Sequence, residues 1–231
     1  MALSLDTRFC GDVFILSCRG PIMIGPDVQA LESCLQLAER EYSRIVVGAG
    51  ELTRLDSTGL GMIIRQLDKL RRRGGDLRIA APPPFLAQLL HITRLSGFVK
   101  TLASEDEAIV SFLSQPAKEA PPEPAGHRVL VIDPSADLGA FVRAVLAQHG
   151  YAVRAASTVH DAHMLLEHHP ADFILFGPNC DQSTQLGAAE LQPVAPQAVT
   201  LELTPEFTSY DALRGAEVLL EKFHAGVKPA A

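Results

Sequence analysis

The chain has 231 residues, 47% of them apolar, which is enough for two hydrophobic cores of ordinary size and excludes a disordered polymer. Its formal net charge of −7 is unevenly placed: basic and acidic residues balance at 13 each through Gln115, and the 7 basic and 14 acidic residues beyond carry the whole excess. Neither half has the cationic balance of a nucleic-acid binder, and with no tryptophan and 6% aromatics there is little to stack on bases. Cys10, Cys18, Cys34 and Cys180 are scattered without a Cys-x-x-Cys pair, there is no charged leader with an apolar core, and no apolar run reaches spanning length; a reducing cytoplasmic location and no membrane are expected.

In chain order, Val13-Phe14-Ile15-Leu16 reads as a buried strand ended by Gly20-Pro21, with a weaker strand from Leu5 to Phe9 before it, the two forming a hairpin. Gly25-Pro26-Asp27 opens a helix that turns Val28, Leu31, Leu35 and Ala38 inward and ends near Glu41. Arg44-Ile45-Val46-Val47 is a central strand, and Gly48-Ala49-Gly50 is expected to turn. That glycine pair lacks the third glycine and the immediate helix of a dinucleotide loop.

Leu55-Asp56-Ser57-Thr58-Gly59-Leu60-Gly61 then leads into a run in which Leu60, Ile63, Ile64, Leu67 and Leu70 recur at helical spacing. Asp56 suits the N-cap, Ser57 and Thr58 fall in the first turn, and Lys69, Arg71, Arg72 and Arg73 crowd the last turn before Gly74-Gly75. The two hydroxyls therefore stand at a helix N-terminus, where free N–H groups and the dipole favour an anion. Asp-Ser-Thr-Gly is equally an ordinary way to cap a helix. The arginines read as a complement to the helix dipole rather than a DNA patch. Leu77-Arg78-Ile79-Ala80 is a further strand, Pro82-Pro83-Pro84 a stiff link into a helix through Leu86, Leu89 and Leu90, and Ser104 with Glu107 a capping box for a helix facing inward with Ala108, Ile109, Phe112 and Leu113.

The Leu55 to Gly61 stretch resembles the signature of STAS domains, the fold of anti-sigma factor antagonists, and the flanking pieces match in order across the first half. The resemblance implies that Ser57 is the serine a partner kinase phosphorylates, with Thr58 as fallback. Asp56, Gly59 and Gly61 would form its environment, and Leu60 and Met62 the apolar contact surface. It further implies an anti-sigma factor or a serine kinase of the switch-protein type as partner. The family usually carries an acidic or amide residue where this chain has Gly48, and acidic or polar residues near Pro21-Ile22-Met23.

Residues 115–126, rich in proline with Lys118, Glu119 and Glu123, have little to bury and read as an interdomain linker. Beyond it the pattern restarts: Arg128 to Ile132 a strand, Asp133-Pro134-Ser135 a turn, and Leu138, Phe141, Val142, Val145 and Leu146 a helix face closed by Gly150. Tyr151 to Ala155, Phe173 to Phe176, Val199 to Leu203 and Val218-Leu219-Leu220 follow as strands, with Ala162, Leu165 and Leu166 on a helix between the first two. Strands alternating with helices imply a parallel sheet. This half, 127–224, resembles a response-regulator receiver. Asp133, Thr204 and Lys222 fit that family's positions, but Pro134 replaces the second acid and Gly177 the nucleophile. Asp172 lies at the wrong end of its strand and Asp181 is displaced in a loop, so the resemblance implies a vestigial site without Mg²⁺.

The fold class expected is thus α/β in two domains: a STAS-like mixed sheet with flanking helices over 1–114 and a receiver-like parallel sheet with flanking helices over 127–224, followed by a tail at 225–231. His160-x-x-His163 with His168-His169 completes no metal ligand set, Ser57 lies in no nucleophile elbow, and no phosphate loop is present. No catalytic residue, metal or cofactor is therefore assigned. Two functions are carried forward: a binding protein switched off by phosphorylation of Ser57, and a non-phosphorylated scaffold that assembles a signalling complex through both halves. Homo-oligomer formation is left open. A small enzyme or nucleotide binder is a remoter third.

Overall fold

The computed structural model describes residues 2–115, 126–180 and 187–226. The chain divides into two compact units, Met1–Arg8 with Asp12–Glu119 and Phe9–Gly11 with Ala120–Ala231. Apart from its end residues, the expected linker at 115–126 lies outside the described residues, as do Asp181 and most of the expected tail.

The first unit is a mixed sheet in the order β5-β4-β3-β2-β1, formed by β1 (Ser4–Cys10), β2 (Val13–Ile22), β3 (Arg44–Leu55), β4 (Asp76–Ala80) and β5 (Lys100–Leu102). Strands β2 to β5 are parallel neighbours, with Leu16 beside Val47 and Val47 beside Ile79. Gly48-Ala49-Gly50 does not turn: β3 runs through it to Leu55, because Gly48 is paired on both sides, to Ser17 and Ala80. Likewise β2 continues past Gly20-Pro21 to Ile22, with a register irregularity between those two residues that admits a proline. The three-residue β5 gave no periodic signal in the sequence.

Alternation along β3 divides the unit into two layers. Ile45, Val47 and Ala49 join one cluster with Leu31 and Leu35 of α1 (Pro26–Glu41), Ile63, Leu67 and Leu70 of α2 (Ser57–Arg72), and Leu86 and Leu90 of α3 (Pro84–Ile92). Gly48 faces the other way, toward α4 (Glu105–Leu113), whose Ala108, Ile109, Phe112 and Leu113 are buried. Arg78, only 2% exposed, stacks 3.5 Å over the Phe112 ring on that side and donates to Gln115 Oε1 at 2.9 Å. The capping box of α4 forms with one change: Ser104 Oγ accepts from Glu107 N–H at 3.1 Å, while Glu107 Oε2 reaches the Ala103 N–H, also at 3.1 Å.

The second unit is a parallel sheet in the order β7-β6-β8-β9, formed by β6 (Arg128–Ile132), β7 (Ala152–Ala156), β8 (Phe173–Phe176) and β9 (Val199–Glu202). Its helices are α5 (Ala136–Ala147), α6 (Val159–His168), α7 (Ala188–Leu191) and α8 (Ala212–Gly226), with a 3-10 turn at Pro205–Ser209. Val218-Leu219-Leu220 is not a fifth strand: it lies inside α8, where Gly215, Leu219 and Phe223 are buried at intervals of four, a helical period that a short apolar run concealed. Phe223 then closes a ring cluster with Tyr151 and Phe173, each centroid 5.3 Å away.

Candidate functional site

The Asp56 turn is built by the strand before it and the helix after it. Strand β3 delivers Asp56 in extended conformation (φ −92°, ψ 176°), so its carboxylate folds back over the first turn of α2. Oδ1 accepts from Gly59 N–H at 2.8 Å, Oδ2 accepts from Ile24 N–H at 2.7 Å, and the Asp56 N–H donates to the Ile22 carbonyl at 3.2 Å. The Gly59 bond first, then those from Ile24 and Thr58, hold the Asp56 carboxyl below the ordinary carboxylate range. At the far end of α2, Gly74 turns with φ +79°.

Ser57 is the first helical residue, and its side chain and that of Thr58 are exposed. Gly59 is buried: a Cβ there would lie 2.7 Å from both Ile22 Cγ2 and Leu55 Cδ1, so only glycine lets α2 start this close to the end of β2. Gly61 is exposed one turn after Ser57, and a Cβ there would meet nothing within 4 Å. Leu60 and Met62, expected as contact surface, are 7% and 3% exposed and belong to the core. Both point inward on the stripe that α2 lays on the sheet. The exposed apolar side chain beside the turn is instead Ile24, 71% exposed, which the sequence alone did not single out.

Residues 4–108 match the model of the STAS domain family. The first half of the chain carries a STAS domain. Among solved structures, the chain is similar to the anti-sigma factor antagonist SpoIIAA in its unphosphorylated form, at 18% identity and TM-score 0.43, over 49% of this chain and 98% of that one. It is similar to an anti-sigma factor antagonist from Mycobacterium paratuberculosis at 19% identity and TM-score 0.44, over 48% and 93% of the two chains. The Bacillus cell fate determinant SpoIIAA in its phosphorylated form matches at 18% identity and TM-score 0.40, over 48% and 99%.

Two departures of this STAS domain from the family pattern acquire physical reasons. Gly48 is vacant because another residue fills its space: a Cβ would stand 1.9 Å from Glu105 Oε1. Glu105, the first residue of α4, brings a carboxylate under the sheet, where it accepts from the Ser17 hydroxyl at 2.7 Å and from Arg8 Nη2 at 3.0 Å. Ile22, in the Pro21-Ile22-Met23 stretch, is fully buried beneath Gly59 and is part of the core. The arginines after α2 are engaged locally: Arg71 with Asp76 at 3.0 Å, Arg72 with Asp68 at 2.7 Å, and Arg73 with the Glu39 carbonyl at 3.3 Å. Cys18, buried beneath α1, has its thiol pushed up to about 12, chiefly by desolvation.

In the second unit, Asp133 and Gly177 come together and Lys222 stands elsewhere. Asp133 is 1% exposed, and its oxygens accept from Ser135 N–H at 2.7 Å, Asn179 N–H at 3.0 Å and Asn179 Nδ2 at 3.1 and 3.2 Å. A Cβ at Gly177 would lie 2.1 Å from Asp133 Oδ2. The absent side chain at 177 is thus the space the aspartate occupies, and amide donors surround a carboxylate that the resemblance would assign to Mg²⁺. Asn179 was not singled out from sequence, since only the fold brings it onto Asp133. Thr204 is exposed at the start of the 3-10 turn, where its hydroxyl holds the Glu206 carboxyl below its usual range. Lys222 is half-buried within α8 and does not end a strand. Asp172 pairs with Arg128 at 2.9 Å, which lowers its pKa, at the N-terminal end of β8. Of the histidines, His163 lies 3.8 Å from Glu167, and among the described residues no three His, Cys, Asp or Glu side chains are grouped to hold a metal. No helix among the described residues is long and apolar enough to cross a membrane.

Proposed function

We propose that this chain is an anti-sigma factor antagonist-type signalling protein, a binding protein rather than an enzyme, whose STAS half captures a partner and is switched off by phosphorylation of Ser57. The partner in this reading is an anti-sigma factor or a serine kinase of the switch-protein type. The observation that carries it is the exposed Ser57 hydroxyl on the first residue of α2, directly after the capping Asp56. A kinase can reach that oxygen. Its attack on the terminal phosphorus of a nucleoside triphosphate forms the O–P bond, breaks the bond to the bridging oxygen and releases the diphosphate, while the hydroxyl proton passes to a base of the kinase. The product carries about −1.5 to −2 charges at neutral pH beside the Asp56 carboxylate. In a contact between proteins, such charge costs desolvation and repulsion, and each ~1.4 kcal/mol weakens binding tenfold. Thr58, also exposed, is the fallback acceptor. The domain limits adopted are 1–114 for the STAS module, 115–126 for the linker and 127–224 for the receiver-like module.

The test is capture of partners from a native lysate by the wild-type chain, Ser57→Ala and Ser57→Asp. A partner held by the first two and lost with Asp supports the switch, and three identical partner sets remove it. A second reading, a scaffold without regulated chemistry, is favoured by one observation: Asn179 and the Ser135 N–H occupy the Asp133 carboxylate where Gly177 offers no nucleophile. Under that reading the receiver-like half is kept for docking, and all three Ser57 variants capture alike.

A further inference from the structure

One side chain joins the Ser57 turn to the loop that precedes α1. Asp56 uses Oδ1 for Gly59 N–H, 2.8 Å away, and Oδ2 for Ile24 N–H, 2.7 Å away. The two bonds differ in what can replace them. Gly59 is buried against Ile22 and Leu55 with no room for a single added carbon, so its N–H cannot turn to water and must keep its acceptor. Ile24 stands at the surface, 71% exposed. The next residue, Gly25, has φ +110° with open space around it, and α1 begins immediately after. Water can therefore take over the Ile24 bond at little cost.

We propose that Asp56 is a latch that carries the state of Ser57 to Ile24: an anion added at Ser57 draws the carboxylate off the Ile24 amide and frees the loop 23–25. The physiological trigger rests on the reading of Ser57 as a phosphate acceptor, whereas the latch itself belongs to the unmodified chain. A phosphate and the Asp56 carboxylate on adjacent residues repel each other and compete for the same few N–H groups at the start of α2. The bond to the buried Gly59 amide is kept and the one to the exposed Ile24 amide is given up. The change is thereby read out at an apolar side chain on a different element from the one modified. Asp56 is a positioning residue in this scheme.

The test follows the backbone amides of Ile24 and Gly59 by NMR in the full chain, comparing wild type, Asp56→Asn, and a chain with phosphoserine incorporated at position 57 during translation. Asparagine keeps one acceptor oxygen for the Gly59 amide and presents an NH₂ group to the other. Ile24 should exchange about tenfold faster or more, with its amide proton shifted upfield, while Gly59 stays within about twofold of wild type. The phosphorylated chain should give the same pattern. An unchanged Ile24 amide in Asp56→Asn overturns the latch, as does acceleration of Ile24 and Gly59 together, which is fraying of the helix end. Release in Asp56→Asn without release in the phosphorylated chain overturns the coupling to Ser57. No arm uses a partner protein, so failure of the capture experiment and failure of the latch are distinguishable.

Discussion

The carboxylate beneath Gly48 makes a double-mutant cycle decisive. In Gly48→Ala, the new Cβ would sit 1.9 Å from Glu105 Oε1 and 3.3 Å from Ser17 Cα, so the glutamate must swing out and forfeit its bonds to Ser17 (2.7 Å) and Arg8 (3.0 Å). A hydrogen bond to a charged group contributes about 1.5–3 kcal/mol when buried. The Arg8 and Glu105 side chains are 22% and 27% exposed, so water recovers part of that. Replacing a strand glycine by alanine returns about 0.5–1 kcal/mol. The net cost of Gly48→Ala is therefore about 1–2 kcal/mol, and Glu105→Ala, which removes the same two bonds without the glycine return, should cost about 0.5–1 kcal/mol more. In the double variant the glutamate clash has nothing to act on: adding Gly48→Ala to Glu105→Ala should stabilise by up to about 0.5–1 kcal/mol, reduced by the 3.3 Å approach of the new Cβ to Ser17 Cα. Urea denaturation of the full chain, monitored at amides of the STAS half, measures all four corners. Additive costs would refute the reasoning, since they would mean that Gly48 and Glu105 do not contest one space.

Other substitutions probe the two sites. Gly59→Ala should destabilise by about 1–3 kcal/mol through overpacking, whereas Gly61→Ala, exposed with open space, should stabilise by about 0.5–1 kcal/mol; thermal melts of the pair separate the two glycines. Asn179→Ala leaves the buried Asp133 carboxylate short of donors and should lower the stability of the second unit by about 2–3 kcal/mol, read by chemical denaturation. Asp56 has a lowered carboxyl pKa, so its contribution is complete above the unfolded value and is lost as pH falls through the lower folded one. Asp56→Asn should therefore flatten the acid limb of a stability-versus-pH curve below about pH 4 and leave its slope near neutrality unchanged.

Much of the first unit was legible because its signals were local. Asp56, Ser57 and the stripe Leu60, Ile63, Leu67 and Leu70 define α2 by cap and period, and both hold in the structure. What could not be read were consequences of strand pairing. Gly48-Ala49-Gly50 has turn composition, yet β3 stays extended through it: Gly48 is paired on both sides, and the register irregularity opposite Ala49-Gly50 bulges the strand without turning it. The resemblance implies a contact surface at Leu60 and Met62, but a helix flat on a sheet buries a stripe wide enough to include both. Ile24 is exposed for a reason no periodicity carries: its loop is pinned by a carboxylate 32 positions further on. In the second unit Val218-Leu219-Leu220 is a strand by composition and a helix by context, because Gly215, Leu219 and Phe223 need one face. Glu105 under Gly48 and Asn179 on Asp133 are meetings that only the assembled fold creates.

The central claim, that a phosphate on Ser57 separates the STAS half from its partner, is tested most directly by mass spectrometry of the chain from its own host, divided into the pool that co-purifies with a partner and the pool that does not. The account predicts phosphate on Ser57 in the free pool and bare Ser57 in the bound pool. Phosphoserine at position 57 in equal proportion in both pools, or in neither, would contradict it.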